Sequence, residues 1–362
     1  MKTKFKFSYE WTLILVPILL ATGSLATLYS ITSISGKSSL VLDQAIYFGA
    51  SVIIYLLISA MDYKILKSLS WYGYILGIIL LVLVEALGQS VFGSTRWINL
   101  GFFQFQPSEL MKVLYIIFAA SYFSSGEKLT WRQYSTFFVL SILPLLLILK
   151  EPDLGTTLVI FATLVVLLLF LKLPKKFYIV SLIGALLLAP IGWYNLRPYQ
   201  KSRITSFINP EADPRGAGYN VSQSKITVGS GGLFGKGFSG ATQSQLQFLP
   251  VAHVDFIFSG WAEATGFLGS SLLVFVFCLL IYKIFTIARQ SKDRFGYLFA
   301  SMAGGLLTFQ VLVNIGMNIG LMPVTGIPLP LFSYGGTSVI VMTAMIAIVQ
   351  SIYLRRKALR FD

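Results

Sequence analysis

The chain has 362 residues, of which 56% are hydrophobic and only 12% charged, with a formal net charge of +14. That composition is far too apolar for a soluble domain, and the basic residues lie between apolar runs rather than on one patch, so they read as topology signals and not as a nucleic-acid surface. The single cysteine, Cys278, lies inside an apolar run and excludes both a disulfide framework and a cysteine-built metal site.

The first seven residues are basic and lead into a long apolar stretch without a small-residue cleavage site, which predicts a retained first helix. Ten runs are long enough to cross a hydrocarbon layer of about 30 Å. They are expected at 11–31, 45–61, 71–87, 107–123, 134–149, 154–172, 177–195, 261–285, 296–321 and 337–354. The expected architecture is an all-α polytopic membrane protein, one transmembrane domain over 1–362, with one long extracytoplasmic loop at about 196–260. With the N-terminus in the cytoplasm, the inside segments hold about eighteen of the 28 Lys and Arg, as the positive-inside rule requires. The even helix count then puts both termini inside. No internal repeat is evident.

Ionisable residues at membrane depth cost about 2.5–3.5 kcal/mol each on insertion scales, so each needs a partner or a task. Arg96 and Trp97 precede the fourth span, where they can anchor the interface or form a platform for phosphate or sugar. Glu109 and Lys112 stand three residues apart on one helix face, spaced to pair with each other or to hold a lipid-linked anion. Asp153, in Lys150-Glu151-Pro152-Asp153-Leu154-Gly155-Thr156, sits where the chain re-enters the membrane and can cap the sixth span or act in catalysis.

The long loop carries Gly229-Ser230-Gly231-Gly232-Leu233-Phe234-Gly235-Lys236-Gly237, and loops of such length usually carry sites. Its end, Ala252-His253-Val254-Asp255-Phe256-Ile257-Phe258, puts a carboxylate beside apolar residues, a setting that can raise its pKa and make it a better proton acceptor. Asp255 can equally cap the eighth span. His253 is the only histidine, which removes histidine-built metal sites. Ser333-Tyr334-Gly335-Gly336-Thr337-Ser338 forms an outer turn rich in hydroxyls and backbone donors, suited to cradle a ligand or to cap the last span. No phosphate-binding Gly-rich loop lies on the cytoplasmic side, so any reaction runs on a substrate that arrives activated.

These stretches, with Gln106-Pro107-Ser108, Gly218-Tyr219 and Gln223-Ser224, resemble in order and spacing the SEDS family (shape, elongation, division and sporulation) over nearly the whole chain. Thr242-Gln243-Ser244-Gln245-Leu246 followed by Phe248-Leu249-Pro250 is similar to its elongation-type branch. The resemblance implies a peptidoglycan glycosyltransferase that polymerises lipid II on the outer face of the bacterial cytoplasmic membrane, beside a class B penicillin-binding protein that cross-links the product. It implies Asp255 as the general base. It also implies pyrophosphate or substrate binding by some of Arg96, Trp97, Glu109, Lys112, Asp153, Arg203, Lys236, His253 and Ser333. A divalent cation, magnesium or manganese, is a further candidate for that charge, although no carboxylate cluster marks a metal site. Two positions depart from the pattern: Val251 stands where an acidic residue is usual and Val254 where a Thr is usual. The rival readings are a lipid II flippase, with Glu109, Lys112 and Asp153 lining a headgroup path, and a non-catalytic scaffold for the penicillin-binding protein.

Overall fold

The computed structural model describes residues 9–34, 36, 38–91, 94–99, 101, 103–125, 130–171, 173, 178–179, 194, 196, 198–209, 216–246, 248–249 and 252–356. The span expected at 177–195 lies almost wholly outside the described residues. Helices stand at each of the other nine expected positions: α1 (Thr12–Thr32), α2 (Ser39–Ala60), α4 (Ser70–Leu87), α5 (Pro107–Tyr122), α6 (Trp131–Lys150), α7 (Leu154–Phe170), α11 (Ile257–Arg289), α12 (Arg294–Asn318) and α13 (Gly336–Leu354). Among the described residues seven of these are long and apolar enough to cross a membrane, and α7 is a shorter apolar helix. The short α3 (Tyr63–Ser68) links α2 to α4.

Helices α12 and α13 form the centre, and α2 packs along α13 while α11, α7 and α5 pack on α12. Small residues make the close approach possible. A methyl group added at Gly305 would lie 2.6 Å from Val166 of α7, and one at Gly304 would lie 3.0 Å from Phe285 of α11. The outer faces of α1, α2, α4 and α6 carry exposed Leu, Ile and Val, among them Leu15, Ile53, Leu76 and Leu146. An apolar outer surface of this kind is what a lipid solvent permits.

Two features correct the expected architecture. The chain is not all-helical: β1 (Gln89–Val91), β2 (Ser94–Asn99) and β3 (Gln104–Phe105) form a three-stranded antiparallel sheet in the order β1-β2-β3. Ile98 pairs with Phe105 and Asn99 with Gln104, and the turn between them uses the left-handed Gly101 (φ 89°), whose N–H donates to Asn99 Oδ1 at 2.8 Å. Thr95-Arg96-Trp97-Ile98 is a β-branched and aromatic run too short to span a bilayer, which is why its backbone bonds go to neighbouring strands.

The segment expected as a loop at 196–260 contains α8 (Pro198–Ile208), α9 (Ala217–Ser230) and α10 (Thr242–Gln245), and α11 begins at Ile257 rather than 261. Its Gly-rich stretch is docked, not a free linker. Phe267 and Leu268 N–H donate to the carbonyls of Gly232 and Leu233 at 2.9 and 3.2 Å, and Lys236 N–H donates to Glu263 O at 2.9 Å. The docking is possible because α11 breaks at Gly266 (φ 68°), leaving a short first helical segment before the long apolar one.

Candidate active site

Asp255 stands just ahead of α11. It does not cap that helix: the capping position is Phe256, without a side-chain bond to the first turn. Its backbone is instead held from three directions. Its carbonyl accepts from the side-chain amides of Asn314 and Asn318, both on α12, at 3.1 Å each. One residue earlier, Val254 O accepts from Ser333 Oγ at 2.6 Å, and Ser333 Oγ accepts from Leu329 N–H at 2.8 Å. Two residues earlier, His253 O accepts from Tyr334 N–H at 3.0 Å, and the His253 and Tyr334 rings meet edge to face at 5.7 Å. The Ser333-Tyr334 turn therefore supports the aspartate segment through its backbone.

The Asp255 carboxyl shares its surroundings with two guanidiniums. Burial pushes its pKa up, Arg203 and then Arg96 pull it back down, and Asp153 pushes it up further. Arg203, on α8, donates from Nη1 to Thr325 O at 2.6 Å. The next residue, Gly326, has φ 76°, and a methyl group built on it would lie 3.2 Å from Arg203 Nη1 and 3.7 Å from Asp255 Oδ2. Only a glycine leaves that gap between cation and carboxylate open.

Arg96 arrives from β2. Its Nη1 lies 3.7 Å from Asp153 Oδ1, its Nε donates to Glu151 O at 3.3 Å, and its Nη2 donates to Pro152 O. Asp153 caps α7, accepting from Thr156 N–H at 3.0 Å and Thr156 Oγ1 at 2.9 Å, and it also accepts from Gln106 Nε2 at 3.1 Å. A methyl group on Gly155, in the first turn of α7, would lie 2.9 Å from Thr325 O. That contact sets the Arg96-Asp153 cluster against the loop that holds Arg203.

Of the candidates from sequence, Asp255, Arg203, Arg96 and Asp153 are thus brought together, with His253 and Ser333 behind them. The others stand apart. Glu109 and Lys112 pair with each other at 2.7 Å, both almost fully buried in α5. Lys236 is paired with the buried Glu263 at 3.4 Å, and Glu263 also accepts from the N–H groups of Gln243 and Ser244 at 2.9 Å and from Ser244 Oγ at 2.6 Å. This cluster ties the Gly-rich stretch to α11 and gives Lys236 a structural role there. Trp97 is half-buried on β2, in register with Gln89 of β1.

Among the described residues no group of three or more His, Cys, Asp or Glu side chains comes together to hold a metal ion. The donor set fits one poorly, because the oxygens of Asp153 are already engaged by Thr156, Gln106 and Arg96. Sequence reasoning did not single out Asn314, Asn318, Gly326, Glu151 or Glu263. The signal for the asparagines was present: two amides at i and i+4 in an otherwise apolar helix must have partners.

A carboxylate of raised pKa under the influence of two guanidiniums can accept a proton while they stabilise a leaving anion. The family described as the cell cycle proteins FtsW, RodA and SpoVE matches residues 7–358. The chain belongs to this family. With seven helices long and apolar enough to cross a membrane among the described residues, it is a multi-pass membrane protein. It is 37% identical to the peptidoglycan glycosyltransferase MrdB of Escherichia coli K12 over 360 residues, covering 98% of this chain and 96% of MrdB. Among solved structures it is similar to a chain of a peptidoglycan synthase complex that coordinates polymerization and crosslinking, with TM-score 0.83 and 31% identity over 96% of this chain and 98% of that one. It is also similar to the crystal structure of the rod-shape-determining protein RodA of Thermus thermophilus, with TM-score 0.74 and 28% identity over 98% of this chain and 99% of that one.

Proposed function

We propose that this chain is a peptidoglycan glycosyltransferase that polymerises lipid II, with Asp255 as its general base. The observation that carries the reading is one partly accessible carboxylate that meets Arg203 at Gly326 and feels the charge of Arg96 as well. Asp255 takes the proton of the acceptor sugar's 4-hydroxyl as that oxygen attacks the donor anomeric carbon. The bond from that carbon to the prenyl pyrophosphate breaks, and the pyrophosphate leaves with the electron pair. The two guanidiniums stand where that charge develops, and fixed charges in a site of low dielectric are worth far more than in water. No nucleotide is consumed, because the substrate carries its own leaving group.

The site needs an aspartate that remains a base. Burial raises its pKa and makes it a better proton acceptor, while the two arginines oppose that rise. In our reading the chain crosses the bacterial cytoplasmic membrane ten times with both termini inside, and Asp255 faces outward. The distribution of Lys and Arg along the sequence supports this orientation. A class B penicillin-binding protein is the partner we propose, on the strength of the synthase complex that the chain resembles.

The test supplies purified protein, together with a class B penicillin-binding protein, with labelled lipid II in detergent, and compares wild type with Asp255→Ala. Wild type makes glycan chains and the folded variant makes none. Equal polymerisation by both would remove Asp255 from the base role. Absence of polymerisation by wild type, together with lipid II scrambling in liposomes, would favour a flippase. Neither activity in wild type would favour a scaffold.

A further inference from the structure

The aspartate and its arginine come from elements far apart in the chain, and a single buried side chain touches the supports of both. Asn314 Nδ2 donates to Asp255 O at 3.1 Å and to Ile327 O at 2.8 Å. Ile327 follows Gly326, and Gly326 follows Thr325, whose carbonyl receives the Arg203 guanidinium at 2.6 Å. Asn314 therefore spans, in one amide group, the backbone of the carboxylate and the loop that carries the cation. It is fully buried, so neither bond is exchanged with water.

Asn318, one turn further along α12, supports the same point differently. Its Nδ2 donates to Asp255 O at 3.1 Å, while its Oδ1 accepts from Ser259 N–H at 3.1 Å and Ser259 Oγ at 2.6 Å. Ser224 of α9 closes the cluster, 2.7 Å from Ser259 Oγ and donating to Asn318 O at 2.8 Å. The side chains of Asn318, Ser259 and Ser224 are all buried. Asn318 thus locks the start of α11 to α9 and α12 but does not reach the Thr325-Ile327 loop.

We propose that Asn314 is a positioning residue that sets the spacing between Asp255 and Arg203, and through it the proton affinity of the base. The inference rests on the reading of Asp255 as the base. A packing role alone would require an apolar side chain at this depth in α12, where a polar one is costly unless its bonds matter. Here every bond of the Asn314 amide nitrogen goes to a backbone carbonyl of the two segments that meet at Gly326.

The test measures lipid II polymerisation across pH for wild type, Asn314→Ala, Asn318→Ala, Arg203→Gln and the double variant Asn314→Ala/Arg203→Gln. Thermal unfolding of each is recorded in the same detergent. Releasing the Thr325-Ile327 loop lets Arg203 drift from Asp255, and misplacement on the order of 1 Å can cost about 10²-fold in rate. Asn314→Ala is expected to lower kcat by about that factor with KM changed less than about twofold. Its pH-rate profile should move to higher pH, and Arg203→Gln should move it the same way.

The double variant should show no shift beyond that of Arg203→Gln alone, because both act through one contact. Asn318→Ala should lower stability and move the profile clearly less than Asn314→Ala, since Asn318 bonds Asp255 O and the Asn314 oxygens but not the Thr325-Ile327 loop. An unmoved profile in Asn314→Ala, or equal shifts in Asn314→Ala and Asn318→Ala, would overturn the proposal. Should Asn314→Ala yield no folded protein, Asn314→Ser, whose one hydroxyl serves only one of the two carbonyls, is judged by the same criteria. If Asp255→Ala polymerises normally, it is the assignment of the base that fails, and that result is read separately from these.

Discussion

Arg96 of β2 and Asp153 at the cap of α7 face each other at 3.7 Å, and the same guanidinium also bonds the carbonyls of Glu151 and Pro152. One cation thereby gathers three consecutive residues of the turn between α6 and α7. Asp153 is therefore both a helix cap and an anchor for Arg96, and its Oδ1 serves both, accepting from Thr156 N–H while it faces Arg96 Nη1. The arrangement leaves one member of the turn without such support: neither carboxyl oxygen of the buried Glu151 has a hydrogen-bond partner.

That orphan carboxyl predicts a pH-dependent stability. Burial, then Asp153, push the Glu151 pKa from 4.5 to about 8, with Arg96 opposing and Glu85 adding a little. The folded protein holds a proton that the unfolded chain has already released, so the sign is fixed by linkage: stability falls as pH rises from 4.5 to about 8 and stays lower above it. Glu151→Gln has no such proton to lose. Unfolding temperatures in detergent should be nearly equal for variant and wild type below about pH 4.5, with the variant clearly more stable above pH 8. A difference that is the same at both ends would show that Glu151 does not titrate in this window.

The field at Asp255 makes a kinetic prediction. Arg203 is the largest opposing influence on a carboxyl that burial pushes upward. Arg203→Gln removes that cation, so the pKa rises further and the base form is reached only at higher pH. The rising limb of the pH-rate profile should move up, and the rate at neutral pH should fall by about 10²-fold, as for the loss of one charge-stabilising donor. Arg203→Lys should recover part of both. A rate loss with the limb unmoved would mean that Arg203 acts on the substrate alone.

The helical frame was readable because lipid leaves few choices: apolar runs of the right length must be helices, and nine of the ten expected positions carry one. The sheet at 89–105 escaped because strands of three, six and two residues give no periodic signal. Asp255, Asp153 and Arg96 were legible as ionisable residues at costly depth. Their assembly was not, because Arg203 and Gly326 are separated by more than a hundred residues and meet through a backbone carbonyl, Thr325 O, which has no mark in the sequence. Lys236 looked like an anion ligand for the same reason: its partner Glu263 sits in an apolar helix, where its several backbone and hydroxyl donors cannot be foreseen.

The break in α11 can be tested by contrasting glycines. Gly266 has φ 68°, and a methyl group on it would lie 2.3 Å from Gly235 N and 2.7 Å from Leu233 O. Backbone strain alone costs about 1–3 kcal/mol in such a conformation, and the collision is with backbone that cannot rotate away. Gly266→Ala should undock the Gly-rich stretch and sharply reduce the yield of folded protein. Gly229, at the end of α9, has nothing within 4 Å of the added methyl and no unusual φ. Gly229→Ala should express and unfold like wild type, within about 0.5 kcal/mol. Equal behaviour of the two variants would show that the stretch is not held where it is described.

The pair in α5 separates structural from functional charge. Lys112 Nζ donates to Glu109 Oε1 at 2.7 Å, both side chains are buried, and Glu109 Oε2 has no partner. Removing one member of such a pair strands the other charge, which typically costs about 3–5 kcal/mol, whereas replacing both with apolar or neutral groups of similar volume is often neutral or better. Lys112→Met alone should therefore destabilise strongly, and Glu109→Gln/Lys112→Met should restore most of the unfolding temperature. Polymerisation of lipid II then decides the role. If the double variant is stable and active, the pair serves only the packing of α5 against α4 and α12. If it is stable and inactive, the ammonium acts on the substrate, because the restored stability removes misfolding as the cause. A double variant less stable than Lys112→Met would contradict the pairing itself, since nothing would then remain stranded for the second substitution to relieve.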